Sequence, residues 1–173
     1  MTEENLRAVA VSGSPTSPSR SRALAELALA RLAGESFETR LIDLATLSAD
    51  ALLVRRNDAA VDDAIAAVGD ARVIVASTPT YRALYTGLLK CFFDLMPQGH
   101  LAGKLCVPLQ TAAVPHHTLS IEYGLPLLFR SLDGTPVPGV FATDGEFEDG
   151  RPSAGLVGRV EEAVVAAARM ARA

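Results

Sequence analysis

The chain has 173 residues, of which 49% are hydrophobic and 21% are charged, and its formal net charge is −4. These values exclude a disordered chain and are typical of one globular domain, which we expect to span residues 1–173. Because there is no excess of basic residues to attract a nucleic-acid backbone, we do not expect nucleic acid among the partners.

The N-terminus and the two cysteines indicate a protein of a reducing compartment. Met1–Leu6 is polar and acidic, unlike a signal peptide, and no apolar run approaches the roughly 20 residues of a membrane span. Cys91 and Cys106 lack CxxC or Cys/His spacing, so we interpret them as buried hydrophobes rather than metal ligands or a disulfide. The prediction is a cytoplasmic protein with no membrane segment and no metal site.

Strand-like and helix-like apolar patterns alternate along the chain. Strand Arg7–Val11 is followed by helix Ser21–Leu32, strand Phe37–Leu44, a loop or short helical turn at Ser48–Asp58, and helix Ala59–Val68. Strand Arg72–Ser77, helix Ala83–Leu95, strand Lys104–Leu109, the mostly helical Pro115–Leu132, strand Val137–Thr143 and helix Ala154–Ala171 complete the chain. Because proline has no N–H to donate to a neighbouring strand, Pro108 does not define the residue at which the fourth strand ends. The alternation predicts an α/β fold, a five-stranded parallel sheet with helices on both faces.

Three unusual loops directly follow strands of this predicted sheet. Gly13–Ser21 follows the first strand, Thr78–Thr86 the third and Gln110–His117 the fourth. Ligands of such sheets bind at the carboxyl ends of the strands. We therefore expect one site, assembled from the three loops at one edge of the sheet.

The first loop offers the groups that a phosphomonoester needs. It has neither the GxGxxG spacing nor the Gly-Lys-Ser/Thr ending of known nucleotide loops, but it leads into a helix N-terminus. Its hydroxyls come from Ser12, Ser14, Thr16, Ser17, Ser19 and Ser21, and Arg20 adds a guanidinium for a charge-assisted bond. The alternative is a Ser/Pro-rich connection in which Ser19 or Ser21 only caps the helix.

The second loop, Thr78–Gly87, combines aromatic rings with backbone amides. Tyr81 and Tyr85 supply apolar surface, and polar groups surround them, which is the mixture that a flat heteroaromatic ligand requires. Gly87 is expected to allow close helix packing. The alternative is that both tyrosines only pack at the loop surface.

The two loops together resemble the NADPH-dependent FMN reductase family. The similarity rests on Gly13-Ser14-Pro15, Ser19-Arg20-Ser21, Thr78-Pro79-Thr80-Tyr81, Tyr85–Lys90 and Phe93–Pro97, and it extends from about Arg7 to about Asp144. The chain is similar to flavin reductases of two-component alkanesulfonate monooxygenase systems. The resemblance implies a flavodoxin-like three-layer sandwich with strand order 2-1-3-4-5, FMN on the first loop, and NADPH or NADH as hydride donor. It also implies a homodimer or homotetramer and a flavin-dependent monooxygenase as partner.

The loops and the resemblance give a set of expected cofactor-binding residues: Ser14, Thr16, Ser19, Arg20, Ser21, Pro79, Thr80, Tyr81, Arg82, Thr111, Ala112 and Ala113. No catalytic side chain is expected, because hydride transfer needs positioned rings rather than an acid or base. Thr16 stands where the family commonly has arginine, so phosphate affinity is expected to depend on Arg20. Thr111-Ala112-Ala113 replaces the family's Thr-Gly-Gly, and its two methyl groups are expected to narrow the pocket.

Tyr123 is a possible interface residue. The resemblance implies a π-bulge at a tetramer interface, where such reductases carry an extra residue, often tyrosine. Independently, Gly124 and Pro126 predict an irregular helix. The alternative is an ordinary proline kink beside an interface or core tyrosine. His116 and His117 are adjacent and share no helix face, so they do not predict a metal site, although one could reach the ligand.

The leading hypothesis is an NAD(P)H-dependent FMN reductase that supplies reduced FMN to a monooxygenase. One alternative keeps FMN tightly bound and reduces a quinone or an azo dye. Another is a flavodoxin-type electron carrier that does not bind NAD(P)H. A third is a redox-sensing module that has lost catalysis, for which Ala112-Ala113 is the only indication.

Overall fold

Short apolar runs form the strands of a central parallel sheet. The computed structural model describes residues 6–54 and 56–173. The strands are β1 (Arg7–Ser12), β2 (Glu38–Asp43), β3 (Val73–Pro79), β4 (Leu105–Ala112), β5 (Thr135–Pro136) and β6 (Val140–Thr143). Their order is β2-β1-β3-β4, and β5 and β6 both pair with β4, all in parallel. The predicted flavodoxin-like order is confirmed, with its fifth position shared by two short strands.

Helices cover both faces of the sheet, as predicted. They are α1 (Arg20–Gly34), α2 (Ala49–Leu52), α3 (Ala59–Asp70), α4 (Gly87–Asp94), α5 (Leu125–Arg130) and α6 (Ala154–Arg172). One apolar core joins α1 and α6 to the sheet, and a second core joins α2, α3, α4 and α5 to the opposite face. An antiparallel hairpin of β7 (Phe147–Glu148) and β8 (Arg151–Pro152) precedes α6. None of the helices described is long and apolar enough to cross a membrane.

Strand β4 continues through Pro108, and so it is longer than predicted. The backbone N–H of Leu105 donates to Arg72 on the β3 side, whereas the carbonyl of Cys106 accepts from Val137 on the other side. By this alternation the missing N–H of Pro108 faces the gap between β5 and β6, where no ladder bond is lost. A Cβ on Gly139 would lie 2.1 Å from the Pro108 carbonyl oxygen, so only glycine fits in this gap.

Helix α4 begins at Gly87 rather than at the predicted Ala83. The preceding residues form a tight turn in which the N–H of Tyr81 donates to the Leu84 carbonyl over 2.8 Å. Arg82 and Ala83 adopt φ values of 52° and 65°, which a right-handed helix cannot contain. The prediction that Gly87 allows close helix packing is wrong, since a Cβ there would meet no atom within 4 Å.

The irregularity predicted near Gly124 and Pro126 is present, because Ser120–Gly124 is π-helical. A Cβ on Gly124 would lie 2.7 Å from Leu84 Cδ1, so this glycine lets the Tyr81–Leu84 turn approach the π-helix. Tyr123 is 68% exposed and therefore not a core residue. Its role at an interface stays a prediction.

The remaining sequence-based predictions concern the cysteines and the N-terminus. Cys106 is buried, and burial raises the pKa of its thiol to about 12, whereas Cys91 is only partly buried. Cys106 is thus a neutral core residue, as predicted. The prediction about a signal peptide concerned Met1–Leu6, of which residues 1–5 lie outside the described residues.

Thr86 joins the ends of two strands to the start of α4. Its hydroxyl donates to the Gly13 carbonyl over 2.6 Å and accepts from the Leu89 N–H over 3.1 Å, capping the helix. Its own N–H donates to the Thr78 hydroxyl over 3.2 Å. A Cβ on Gly13 would lie 2.9 Å from Leu89 Cβ. The loop after β1 therefore touches α4 directly and is fixed there by Thr86.

We expect Thr86→Ala to lower the free energy of unfolding by about 2–4 kcal/mol, because it removes the helix cap and leaves the buried Gly13 carbonyl without its donor. Thr86→Ser keeps the hydroxyl and is expected to cost about 1 kcal/mol, for the lost methyl group. Urea unfolding followed by circular dichroism measures both. Equal losses in the two variants would show that the hydroxyl does not stabilise this junction.

Candidate functional site

A cleft of about 860 Å³ lies at the carboxyl ends of β1, β3 and β4. The three loops predicted to form one site do meet there. Of the expected cofactor-binding residues, all line the cleft except Ser21 and Arg82. His116 and His117 do not line it either, and their rings contact each other with centroids 5.5 Å apart.

The start of α1 forms one end of the cleft. Ser19 is the N-cap, as the alternative interpretation proposed, and its hydroxyl accepts from the Arg22 N–H over 3.3 Å. Within the described residues, however, the backbone N–H groups of Arg20 and Ser21 meet no acceptor. With the positive end of the helix dipole, these N–H groups form an anion site that the cap leaves open. Capping and anion binding are thus compatible in this loop.

Ser21 and Arg82 are the two expected cofactor-binding residues that do not line the cleft. The Ser21 side chain is buried against Ser19, with 2.9 Å between the two hydroxyl oxygens. The carbonyl of Ser21 accepts from the Ser77 hydroxyl over 2.6 Å, which holds the start of α1 against β3. Arg82 lies in the left-handed turn after Tyr81 and is exposed away from the cleft lining. The hydroxyl of Ser21 and the guanidinium of Arg82 are therefore not part of the site wall.

Two arginines of the cleft differ in how firmly acidic residues hold them. Arg22 forms ion pairs with Glu26 and with Asp43; the hydrogen bond to Glu26 raises its pKa, and the charge of Asp43 adds to this. Among the described residues, the Arg20 guanidinium pairs with one carboxylate, that of Asp144 at 3.2 Å, and both side chains are close to half exposed. Exposed pairs of this kind contribute little, so Arg20 can exchange its partner for a ligand phosphate.

The part of the cleft next to β3 and β4 carries no charged side chain among the residues Pro79–Tyr81 and Thr111–Ala113. Pro79, Thr80 and Tyr81 come from the end of β3, and Thr111, Ala112 and Ala113 come from the end of β4. The Thr80 N–H donates to the Thr111 carbonyl over 2.7 Å, which joins the two segments into one wall. Tyr81 lines the cleft, whereas Tyr85 packs against the α4 core, so Tyr85 neither contributes to the cleft wall nor packs at the loop surface.

Sequence reasoning missed the third side of the cleft. Asp144 and the hairpin turn Asp149-Gly150-Arg151 line it, and the ring of Phe147 lies 5.8 Å from the Arg20 guanidinium carbon. A signal was present, because Asp-Gly is the dipeptide typical of tight hairpin turns, and both residues have positive φ here. Ser17, Pro18, Ala23 and Glu26, from the first loop and α1, also line the cleft.

Comparisons with known proteins agree on one family. The sequence profile described as NADPH-dependent FMN reductase matches residues 6–148. An FMN reductase (NADPH) of Escherichia coli K12 is 34% identical over 146 residues, which is 83% of this chain and 76% of that protein. The NADH-dependent FMN reductase SfnE of Pseudomonas putida is 35% identical over 161 residues, covering 90% of this chain and 87% of that protein.

A solved structure supports the same relationship. The apo form of an NADH:FMN oxidoreductase, EMOB, superposes with a TM-score of 0.89 and 33% identity, covering 95% of this chain and 89% of that chain. The family profile includes both the α1 end of the cleft and the wall built from β3 and β4, and it stops before the Asp149–Arg151 turn. The chain belongs to the NADPH-dependent FMN reductase family.

Proposed function

We propose that this chain is an NAD(P)H-dependent FMN reductase, which transfers a hydride from a nicotinamide to the flavin ring. One observation carries the proposal: a single cleft combines free N–H groups at a helix N-terminus with a wall of uncharged residues from the ends of β3 and β4. FMN has the same division between its phosphate and its ring. Residues 1–173 would act as one FMN-binding domain in the cytoplasm.

The residues present fit FMN. The N–H groups of Arg20 and Ser21, the hydroxyl of Ser19 and the guanidinium of Arg20 would bind the phosphate. The Ser14 hydroxyl, which donates to the Thr16 carbonyl over 3.0 Å, would hold the loop in shape around it. The wall from Pro79 to Tyr81 and from Thr111 to Ala113 would hold the ring. The cleft of about 860 Å³ is within the range of small-molecule and cofactor sites. The methyl groups of Ala112 and Ala113 belong to this wall.

The ring-side wall positions its ligand rather than moving protons. When bound, FMN supplies the ring that accepts the hydride. Pro79, Thr80, Tyr81 and the Thr111–Ala113 segment include no carboxylate and no imidazole, so this wall offers hydroxyls and apolar surface. Such a wall can orient two rings and exclude water between them, which is the protein's part in hydride transfer. The reduced product would pass to a flavin-dependent monooxygenase.

We expect the purified chain to oxidise NADPH or NADH when FMN is added, because the wall can align nicotinamide and flavin. Absorbance at 340 nm measures the rate with each nucleotide, with riboflavin and a quinone as comparison acceptors. No oxidation of either nucleotide would exclude the reductase. FMN that stays bound and passes electrons to the quinone would favour a quinone reductase, and bound FMN that NAD(P)H does not bleach would favour a carrier.

Arg20→Ala is expected to weaken FMN binding by about 1–3 kcal/mol, because it removes a charge-assisted bond to the phosphate. Asp144→Asn is expected to tighten FMN binding by up to about 1 kcal/mol, because Arg20 loses its competing carboxylate. Flavin fluorescence titration measures both. Riboflavin has no phosphate and serves as the matched probe, so a change in riboflavin affinity as large as that for FMN would contradict the assignment.

An exposed apolar stripe lies beside the cleft, and we propose that it mediates a homodimer or homotetramer. Leu119, Tyr123 and Leu127 are 64%, 68% and 69% exposed, and their spacing places them along one side of the π-helix and α5. Leu84, which contacts this helix near Gly124, is 42% exposed. Contiguous apolar surface of this kind is typical of protein interfaces. A second copy would cover it next to the ring-side wall.

We expect Leu127→Lys to dissociate the oligomer, because a desolvated lysine would lie in its apolar contact. Light scattering after size-exclusion chromatography measures the mass over a range of concentrations. Met170→Lys is the control, since Met170 is an exposed apolar residue of α6 on the other face of the sheet. A monomeric parent chain, or equal dissociation by both variants, would contradict the assigned surface.

A further inference from the structure

Gln110 is a buried polar residue behind the cleft. It was expected in a loop, but it lies in β4 and is fully buried. Leu109 belongs to the core shared with α1 and α6, whereas Cys106 belongs to the opposite core, so Gln110 faces the α4 and α5 side by alternation. A buried amide is costly unless it is hydrogen-bonded, so its partners indicate its purpose.

The Gln110 amide joins the cleft wall to the π-helix. Its Nε2 donates to the hydroxyl oxygens of Thr80 and Ser120, over 2.7 Å in each case. Thr80 lines the cleft, whereas Ser120 is buried at the start of the π-helix. The Oε1 atom is buried and has no hydrogen-bond partner among the residues that the structure describes. The bond to Ser120 thus anchors the amide, and the bond to Thr80 reaches the ligand site.

Thr80 has two polar hydrogens, one on its backbone nitrogen and one on its hydroxyl, and the contacts use the first. Its backbone N–H is used by the Thr111 carbonyl, and its hydroxyl oxygen accepts from Gln110. No acceptor for the hydroxyl hydrogen is found in residues 6–54 and 56–173. Since the lone pair nearest to Gln110 is occupied, the hydroxyl hydrogen points away from the amide. Thr80 can therefore donate into the cleft.

We propose that Gln110 is a positioning residue that holds the Thr80 hydroxyl as a hydrogen-bond donor toward the polar edge of the flavin ring. This inference rests on the proposed function. An oxidised flavin ring presents carbonyl oxygens and imine nitrogens, which accept hydrogen bonds, and one N–H. A donor with a fixed direction matches such an edge, whereas a freely rotating hydroxyl would lose orientation on binding. Gln110 itself is buried behind Thr80 and acts through it.

A merely structural Gln110 would behave differently. In that case the amide only ties β4 to the π-helix, and its loss would lower stability and ligand affinity whether or not Thr80 has a hydroxyl. In the proposed role, the effect of Gln110 on ring binding disappears when the Thr80 hydroxyl is absent. A double-mutant cycle separates the two, because it isolates the coupling between the two side chains.

The experiment measures riboflavin binding by fluorescence titration, so that the phosphate site does not contribute. Gln110→Glu presents an acceptor to Thr80 and draws its hydrogen away from the ligand; Gln110→Met keeps the volume and removes the donor. We expect each variant, and Thr80→Val, to weaken riboflavin binding about 2- to 10-fold. In the Thr80→Val background neither Gln110 substitution should weaken it further, whereas Thr80→Ser should keep wild-type affinity.

Several outcomes would overturn the proposal. Unchanged affinity in Thr80→Val would do so even if a Gln110 variant failed to fold, and so would Gln110 effects that persist in full without the Thr80 hydroxyl. Ser120→Ala removes the bond that anchors the amide but keeps the donor to Thr80, so it is expected to weaken riboflavin binding less than Gln110→Met does, and an effect larger than that of Gln110→Met would contradict the proposal. If the parent chain binds neither riboflavin nor FMN, the proposed function fails; if it binds them and the cycle is additive, only the role of Gln110 fails.

Discussion

The contact between the loop after β1 and helix α4 is the constraint on which the cleft depends. Gly13 brings its backbone against Leu89, where any side chain would collide, and the Thr86 hydroxyl bonds the Gly13 carbonyl. The carboxyl ends of parallel strands lie at the same edge of a sheet, but this arrangement does not determine the conformation of the loops that follow. Here the same residue, Thr86, also caps α4 and bonds Thr78 at the end of β3. Thr86 therefore fixes the loop that leads to α1 relative to the end of β3.

Local charge arrangement explains how an acidic chain can provide an anion site. The net charge of −4 describes the whole chain, but anion binding needs only nearby donors. Arg22 forms ion pairs with Glu26 and Asp43, and the pair with Asp43 connects α1 to β2. Arg20 shares one exposed contact with Asp144, and the first N–H groups of α1 remain available. A phosphate bound at this position would thus compete with one exposed carboxylate rather than with a buried network.

Apolar periodicity predicted the strands and helices, and the position of three loops directly after strands predicted that they meet, whereas the strand order followed from the family resemblance. The sequence misled where a tertiary contact overrides local preference. Gln110 is polar and was assigned to a loop, yet bonds to Thr80 and Ser120 allow it to continue β4 into the core. Ala83 favours a helix, but the turn closed by Tyr81 and Leu84 requires a left-handed backbone there. The Asp149-Gly150 dipeptide is typical of a hairpin turn, but nothing in it indicates that the turn lies at the cleft.

The two ends of the cleft are built on different parts of the fold. The phosphate end consists of the first loop and α1, which pack on β1, β2 and the α6 side of the sheet. The ring-side wall consists of the ends of β3 and β4, and it continues through Gln110 to Ser120 and through Leu84 to Gly124. The π-helix that receives both contacts also carries part of the apolar stripe. A contact that fixes this π-helix therefore acts on the ring-side wall through Gln110 and Leu84, whereas the phosphate end is joined to α4 by Thr86 and to β3 by Ser77.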